Sequence, residues 1–265
     1  MTTAENRGAV QFFWLVVILS LPFYALGISG AALPFARSLP ISALMAVVPM
    51  IAALMLVYRS NGAGGAHNLF IRAFDFHRIP NLWWAIAALG VMPVAFALTA
   101  GVFWLAGTTL PGLILLPANA IIPAFALFFL GAVAEEIGWQ GYAYPTLNKR
   151  YSALKTALII GTIWALWHVI PFALMGRSAG WIIWQGAGMV CMRIIIVWLS
   201  VKAGQSVAVA VLFHMMSNSV WGVFTNFDPY YDPMLMFLVL VGAVVTIIWL
   251  SKYGNRVPFI EPFRK

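Results

Sequence analysis

Charge is what this chain has least of. Only 8% of its 265 residues are Asp, Glu, Lys or Arg, 63% are hydrophobic, and the mean hydropathy is +0.94. Soluble domains are about a quarter charged, so a water-soluble enzyme or module is excluded and an integral membrane protein is left. The single cysteine, Cys191, excludes an intrachain disulfide framework and any multi-cysteine metal centre. It reads as a small buried hydrophobe. Acids are scarcer than bases, seven against fifteen, for a net charge of +8. That charge would suit nucleic acid, but the cations fall in separate loops and form no single face, so no nucleic-acid partner is expected. No fixed-period repeat, low-complexity tract or long linker is present. The chain therefore reads as one integral membrane domain, 1–265.

What is there instead is a series of long apolar runs. A spanning helix needs about 20 such residues, and eight segments qualify in broad outline: 11–31, 40–58, 82–106, 118–142, 153–170, 181–200, 205–224 and 233–251. The fold class expected is all-α, a polytopic bundle of about eight transmembrane helices. The seventh segment is the least apolar, holding Gln205, Ser206, His214, Ser217, Asn218 and Ser219.

With the N-terminus in the cytoplasm, twelve cations fall on the cytoplasmic side: Arg7, Arg59, Arg72, Arg78, Lys149, Arg150, Lys155, Lys202, Lys252, Arg256, Arg264 and Lys265. Two, Arg37 and Arg177, fall opposite. This is the segregation the positive-inside rule expects, and it puts both termini in the cytoplasm. Arg7 ahead of an apolar run also fits a secretory signal, although the run is longer than a signal's apolar region. The stretch NLFIRAFDFHRI, 68–79, reads as an amphipathic connector along the cytoplasmic interface. His67 and His77 belong to its surface.

Ionisable side chains within spans are rare and face a bundle interior or a wet cavity. Here they are Glu135, Glu136, His168, Arg193 and His214, with Gln140 and Asn218 as uncharged companions. AEEIGWQGY, 134–142, puts two of the seven acids side by side directly after IIPAFALFFLGAV. Helix positions four apart share a face, which pairs Glu136 with Gln140, Trp164 with His168, and His214 with Asn218. The spacing predicts three helices turning polar groups toward one cavity. Each residue has a blander role to weigh. Glu135 and Glu136 can cap a helix end, His168 can sit at an interface just before Pro171, Arg193 can snorkel, and Trp164 and Trp167 can be packing aromatics. His214, at mid-span, has no such simple alternative.

This set can support hydrolysis. Burial in an apolar pocket makes a carboxylate a better proton acceptor. Two adjacent carboxylates resist ionising together, so one can hold a proton while the other takes one from water. An imidazole can share that water or protonate a leaving amine. A second imidazole and an amide can donate to a developing oxyanion. No serine or cysteine stands beside an evident base. Ser217, three after His214, and Ser206 make only a weak case for a serine mechanism.

EEIGWQGYAYPTLNKRYSALKTALIIGTIWALWHVIPF, 135–172, with GQSVAVAVLFHMMSN, 204–218, resembles the core of the CPBP family. These are the Abi-like intramembrane peptidases that include CAAX proteases and bacteriocin-processing enzymes. The likeness runs over 118–224, a catalytic core of four helices. The family pattern is a double Glu followed three residues on by Arg, then aromatic-x-x-x-His, then His-x-x-x-Asn. The resemblance implies a glutamic endopeptidase acting on a membrane-associated or lipid-modified peptide through an activated water. In that picture Glu135 is the general base and His168 helps hold the water. His214 and Asn218 form the oxyanion site, and Glu136 orients it. Gln140 departs from the pattern where the family has Arg. Either Glu136 is then more readily protonated, or Arg193 supplies the missing cation.

The resemblance implies no cofactor. Zinc held by His168, His214 and a Glu is the alternative, although no HExxH spacing is present. The expected partners are a peptide or protein substrate at the membrane and the bilayer itself. The expected location is a prokaryotic plasma membrane. Two other readings are a non-catalytic, immunity-type peptide binder and a proton-coupled transporter; the latter predicts internal repeats.

Overall fold

The computed structural model describes residues 3–30, 32–33, 36–108, 118–223, 231–253 and 259. Arg256, Arg264, Lys265 and the side chain of Arg37 lie outside the described residues. Among these residues ten α-helices follow in order: α1 (Thr3–Ile28), α2 (Val48–Ile71), α3 (Trp83–Leu105), α4 (Ala118–Glu136), α5 (Tyr144–Asn148), α6 (Ala153–Trp167), α7 (Val169–Leu174), α8 (Ala179–Lys202), α9 (Val207–Val223) and α10 (Pro233–Tyr253). A 3-10 segment, Ile41–Val47, leads into α2, and a π-helical segment, Ile137–Ala143, joins α4 to α5. Among the described residues, the exception to an all-α chain is a two-stranded antiparallel ribbon, β1 (Ala32–Leu33) with β2 (Ala36–Pro40), between α1 and α2.

Seven of the helical stretches are long and apolar enough to cross a membrane, and an eighth, Val207–Gly222, is shorter. The protein is an integral, multi-pass membrane protein. Its outer surface is apolar, with Trp14, Ile18, Val94, Ile122, Leu166 and Val245 all exposed. Its interior holds Glu136, Arg193 and His214. That inverts the usual soluble arrangement and suits a chain whose solvent is lipid. The short α9 would extend about 24 Å, less than the roughly 30 Å of hydrocarbon. Its first five residues and Phe213 are fully buried, so surrounding helices, rather than lipid, set its environment.

Close crossings position the interior. Without a hydrophobic force between helices in lipid, packing depends on small residues at the contact. Gly161 on α6 is one: a Cβ there would stand 3.0 Å from the Arg193 Cβ and 3.2 Å from the Val190 Cα on α8. Gly138 in the π segment is another, lying against the Pro49 carbonyl at the start of α2, 2.5 Å from where a Cβ would sit. Pro171 in α7 has no N–H for the carbonyl of Trp167, and the Tyr24 hydroxyl of α1 donates to that oxygen instead, at 2.8 Å.

The connector after α2 differs from the expectation. Phe70, Ile71, Phe74 and Phe76 are exposed, as on an interfacial segment, and so are His67 and His77. But Asp75 is only 3% exposed and turns inward. It accepts from the Ser206 hydroxyl at 2.7 Å and from the Ala208 and Val207 amides at 3.1 and 3.4 Å. The first amides of a helix have no partner within it, and Asp75 supplies one to α9 from a distant loop. Arg72 donates to the carbonyls of Gly141 and Gln205 at 3.1 and 3.4 Å. The connector thus ties the π segment to the start of α9.

Candidate active site

Glu135 and Glu136 close α4, and their side chains part company. Glu136 is 0% exposed and meets Arg193, also 0% exposed, in a bidentate pair. Arg193 Nη1 donates to Glu136 Oε2 at 2.7 Å and Nη2 to Oε1 at 2.9 Å. His214 Nδ1 lies 2.8 Å from the same Oε1. A carboxylate held by a guanidinium accepts hydrogen bonds, so Nδ1 carries the proton and Nε2 faces the other way. It faces Glu135, with His214 Nε2 3.9 Å from Glu135 Oε1.

Glu135 is 6% exposed and borders a cavity of about 390 Å³. Its Oε2 accepts from the indole N–H of Trp164 at 2.8 Å and of Trp139 at 3.3 Å. Trp164 does three further things. The Arg193 guanidinium lies over its ring at 4.6 Å, a cation–π contact. The His214 ring meets its ring edge-on at 5.2 Å. Its carbonyl lies 2.9 Å from His168 Nδ1. A carbonyl only accepts, so His168 Nδ1 is the protonated nitrogen and Nε2 keeps its lone pair. His168 sits where α6 gives way to α7 and its ring packs on Trp167 and Phe172.

Glu135, Trp164, His168, His214 and Asn218 all line this one cavity. Ser217 lines it too, but its hydroxyl donates to the His214 carbonyl at 2.7 Å. Ser206 donates to the Asp75 carboxylate but is fully buried and does not line the cavity, so neither serine is placed to attack a substrate there. At the edge of the cavity the Tyr231 hydroxyl donates to Gln185 Oε1 at 2.6 Å. Burial pushes the Tyr231 pKa up, so the hydroxyl stays a donor.

Gln140 is the correction. The expected i, i+4 pairing with Glu136 assumes an α-helix, but residues 137–143 form a π segment whose wider turn shifts the register of faces. Gln140 Nε2 donates instead to the Ser200 hydroxyl on α8 at 3.0 Å, and that hydroxyl donates to the Ser206 carbonyl at 2.7 Å. Neither Glu136 nor Gln140 lines the cavity; both lie behind it. Arg193 does not snorkel. Among cations with described side chains, it is the one that engages Glu136.

Trp139, absent from the expected set, is fully buried against Phe12 and Trp167 and donates to Glu135. Its position four residues after Glu135 was the available signal. Among the described residues no three His, Cys, Asp or Glu side chains are grouped to hold a metal ion.

Residues 117–220, which include Glu135, Glu136, Gln140, Trp164, His168, Arg193, His214 and Asn218, match the Rce1-like family, described as type II CAAX prenyl endopeptidase. The CAAX prenyl protease 2 of Methanococcus maripaludis is 35% identical over 106 residues. The aligned stretch is 37% of this chain and spans 39% of that relative.

Proposed function

We propose that this chain, similar over residues 117–220 to CAAX prenyl endopeptidases, is an intramembrane endopeptidase in which Glu135 activates a water. The observation that carries the reading is the placement of Glu135, His168, His214 and Asn218 around one cavity, with Glu136 and Arg193 buried behind them. Glu135 has one oxygen held by two indoles, which leaves Oε1 to take a proton from a water in the cavity. His168 Nε2, with its lone pair, accepts a hydrogen bond from the water's other O–H and fixes its orientation. As the water's oxygen attacks the peptide carbonyl, negative charge grows on the carbonyl oxygen. The Asn218 amide donates to that charge, and so does His214 as an imidazolium, with Nδ1–H on Glu136 and Nε2–H toward the oxygen. The proton on Glu135 then passes to the leaving amine. Glu136 holds the His214 ring in orientation through Nδ1–H, and Arg193 keeps Glu136 a carboxylate.

Under this reading the chemistry is the chain's own and needs no metal ion. The substrate is a membrane-associated peptide whose apolar part enters the cavity. The relative's name points to prenylated C-termini as one substrate class. The test is mass spectrometry of protein termini in membranes holding either the native protein or Glu135→Gln. A terminus present only with the native protein supports the reading. Identical terminal sets, with both proteins folded and present, overturn it.

A further inference from the structure

Most polar side chains on the cavity wall already have a role. Trp164, His168, His214 and Asn218 gather around Glu135, Ser217 donates to a carbonyl, and the Trp167 indole donates to the Ser20 hydroxyl at 2.8 Å. The Ser42 hydroxyl has no partner, but Ser42 is 0% exposed and closed to anything in the cavity. Gln185 on α8 is different. It is half-buried and lines the cavity, and its Oε1 is taken by the Tyr231 hydroxyl at 2.6 Å. Among the described residues nothing accepts from its two amide N–H groups.

The way Gln185 is held suits binding. With its oxygen engaged, the side chain presents donors only. Tyr231 is itself set in an aromatic row that starts at His168: the rings of His168, Phe172, Trp181 and Tyr231 follow one another with centroids 5.6, 5.1 and 6.2 Å apart. A donor fixed in advance loses less freedom when it binds. Along α8, Gln185, Met189 and Met192 recur at i, i+4 and i+7, the spacing of one helix face, and all three line the cavity. Arg193, next after Met192, lies over the Trp164 ring whose indole holds Glu135. Both tracks give a similar reach. Gln185 lies eight residues before Arg193, about 12 Å along the helix at 1.5 Å per residue. An extended peptide advances about 3.3 Å per residue, so about four of its residues cover that distance and about five cover the aromatic row.

We propose that Gln185 binds substrate: its amide donates to a backbone carbonyl of an extended peptide, about four or five residues from the scissile bond. A peptide entering an apolar cavity leaves water behind, and each carbonyl left unpaired there costs free energy. Between Gln185 and Arg193, α8 offers the cavity Gly188, Met189 and Met192 and no polar side chain. A carbonyl at Gln185 is satisfied, and that contact fixes the register in which the scissile bond meets Glu135. The acceptor is a neutral carbonyl rather than a carboxylate, because a buried anion needs a cation and Gln185 brings none. The site thereby selects peptides that extend at least this far on one side of the bond. The proposal rests on the proteolytic reading for the fate of the peptide, but binding at Gln185 does not require cutting.

The test uses reconstituted full-length protein and a fluorescent, C-terminally amidated peptide rich in Leu and Ala, with versions shortened close to the cleavage site from one end or the other. Gln185→Leu keeps the side chain's bulk and removes its donors. For the long peptide KM is expected to rise about 3- to 10-fold, as for the loss of one neutral hydrogen bond, with kcat unchanged. For one of the two shortened peptides the native and Gln185→Leu proteins should share one KM. Tyr231→Phe, which frees the amide, should raise KM less, and should add nothing to Gln185→Leu. Equal KM values on the long peptide, or the same rise on both shortened peptides, overturn the proposal and leave proteolysis standing. Fluorescence anisotropy of the long peptide on Glu135→Gln protein measures binding without cleavage. A Kd raised about 3- to 10-fold by adding Gln185→Leu, with no cleavage by the native protein, upholds the proposal and counts against proteolysis. No binding, or binding indifferent to Gln185, overturns the proposal.

Discussion

Arg193 and Glu136 meet with two guanidinium nitrogens on two carboxylate oxygens, at 2.7 and 2.9 Å, and neither side chain is exposed. They come from helices 57 residues apart in the chain. A buried pair tolerates loss of both partners better than loss of one, because a lone charge is then left without solvent. Arg193→Met is expected to destabilise the protein by about 3–5 kcal/mol, read as a lowered melting temperature in detergent. Adding Glu136→Leu should restore most of that stability. It should not restore cleavage, since the double variant leaves His214 without Glu136, its anchor.

Gln140 does not face Glu136 but Ser200. Gln140→Arg is therefore expected not to rescue Arg193→Met, in stability or in activity. Rescue to within a few degrees of the native melting temperature would mean that position 140 reaches Glu136 after all.

Trp164 holds Glu135 through a 2.8 Å hydrogen bond from its indole. Hydrogen bonds to charged groups contribute about 1.5–3 kcal/mol, so Trp164→Phe should lower kcat/KM by about 10- to 150-fold. Trp139→Phe, which removes a longer contact of 3.3 Å, should cost less. A Trp164→Phe protein with a native cleavage rate would show that the indole N–H does not act on the base.

Asp75 caps α9 from the loop after α2. Capping residues contribute about 0.5–2 kcal/mol, so Asp75→Ala should lower the melting temperature, and Asp75→Asn, which keeps an acceptor, should lower it less. Equal losses in the two variants would show that the carboxylate's charge, and not its acceptor oxygen, matters there.

Much of the bundle and part of the site can be read from residue types alone, for a physical reason. A hydrocarbon environment makes every ionisable residue conspicuous, so Glu135, His168 and His214 stand out of their spans before any coordinates exist. Helical spacing then joins Trp164 to His168 and His214 to Asn218, and all four line the cavity. The same spacing misdirects Gln140, because the π turn at 137–143 is no feature of a 3.6-residue pattern. Asp75 is opaque for another reason. Its partners lie 131 to 133 residues away, and a loop that is aromatic and basic on its surface hides one acid turned inward. Composition does not mark the ends of the spans either: α2 continues to Ile71, well beyond its apolar run, through a break at Gly62, whose φ of 67° is open to glycine.

The account stands on Glu135 as the proton acceptor. The most direct measurement is cleavage of a fluorogenic peptide with an apolar flank by purified, reconstituted protein, native against Glu135→Gln, with and without a chelator. The expected result is a loss of about 100- to 10,000-fold in rate for the variant, an unchanged melting temperature, and no effect of the chelator on the native protein. A Glu135→Gln protein that cleaves at the native rate would contradict the account.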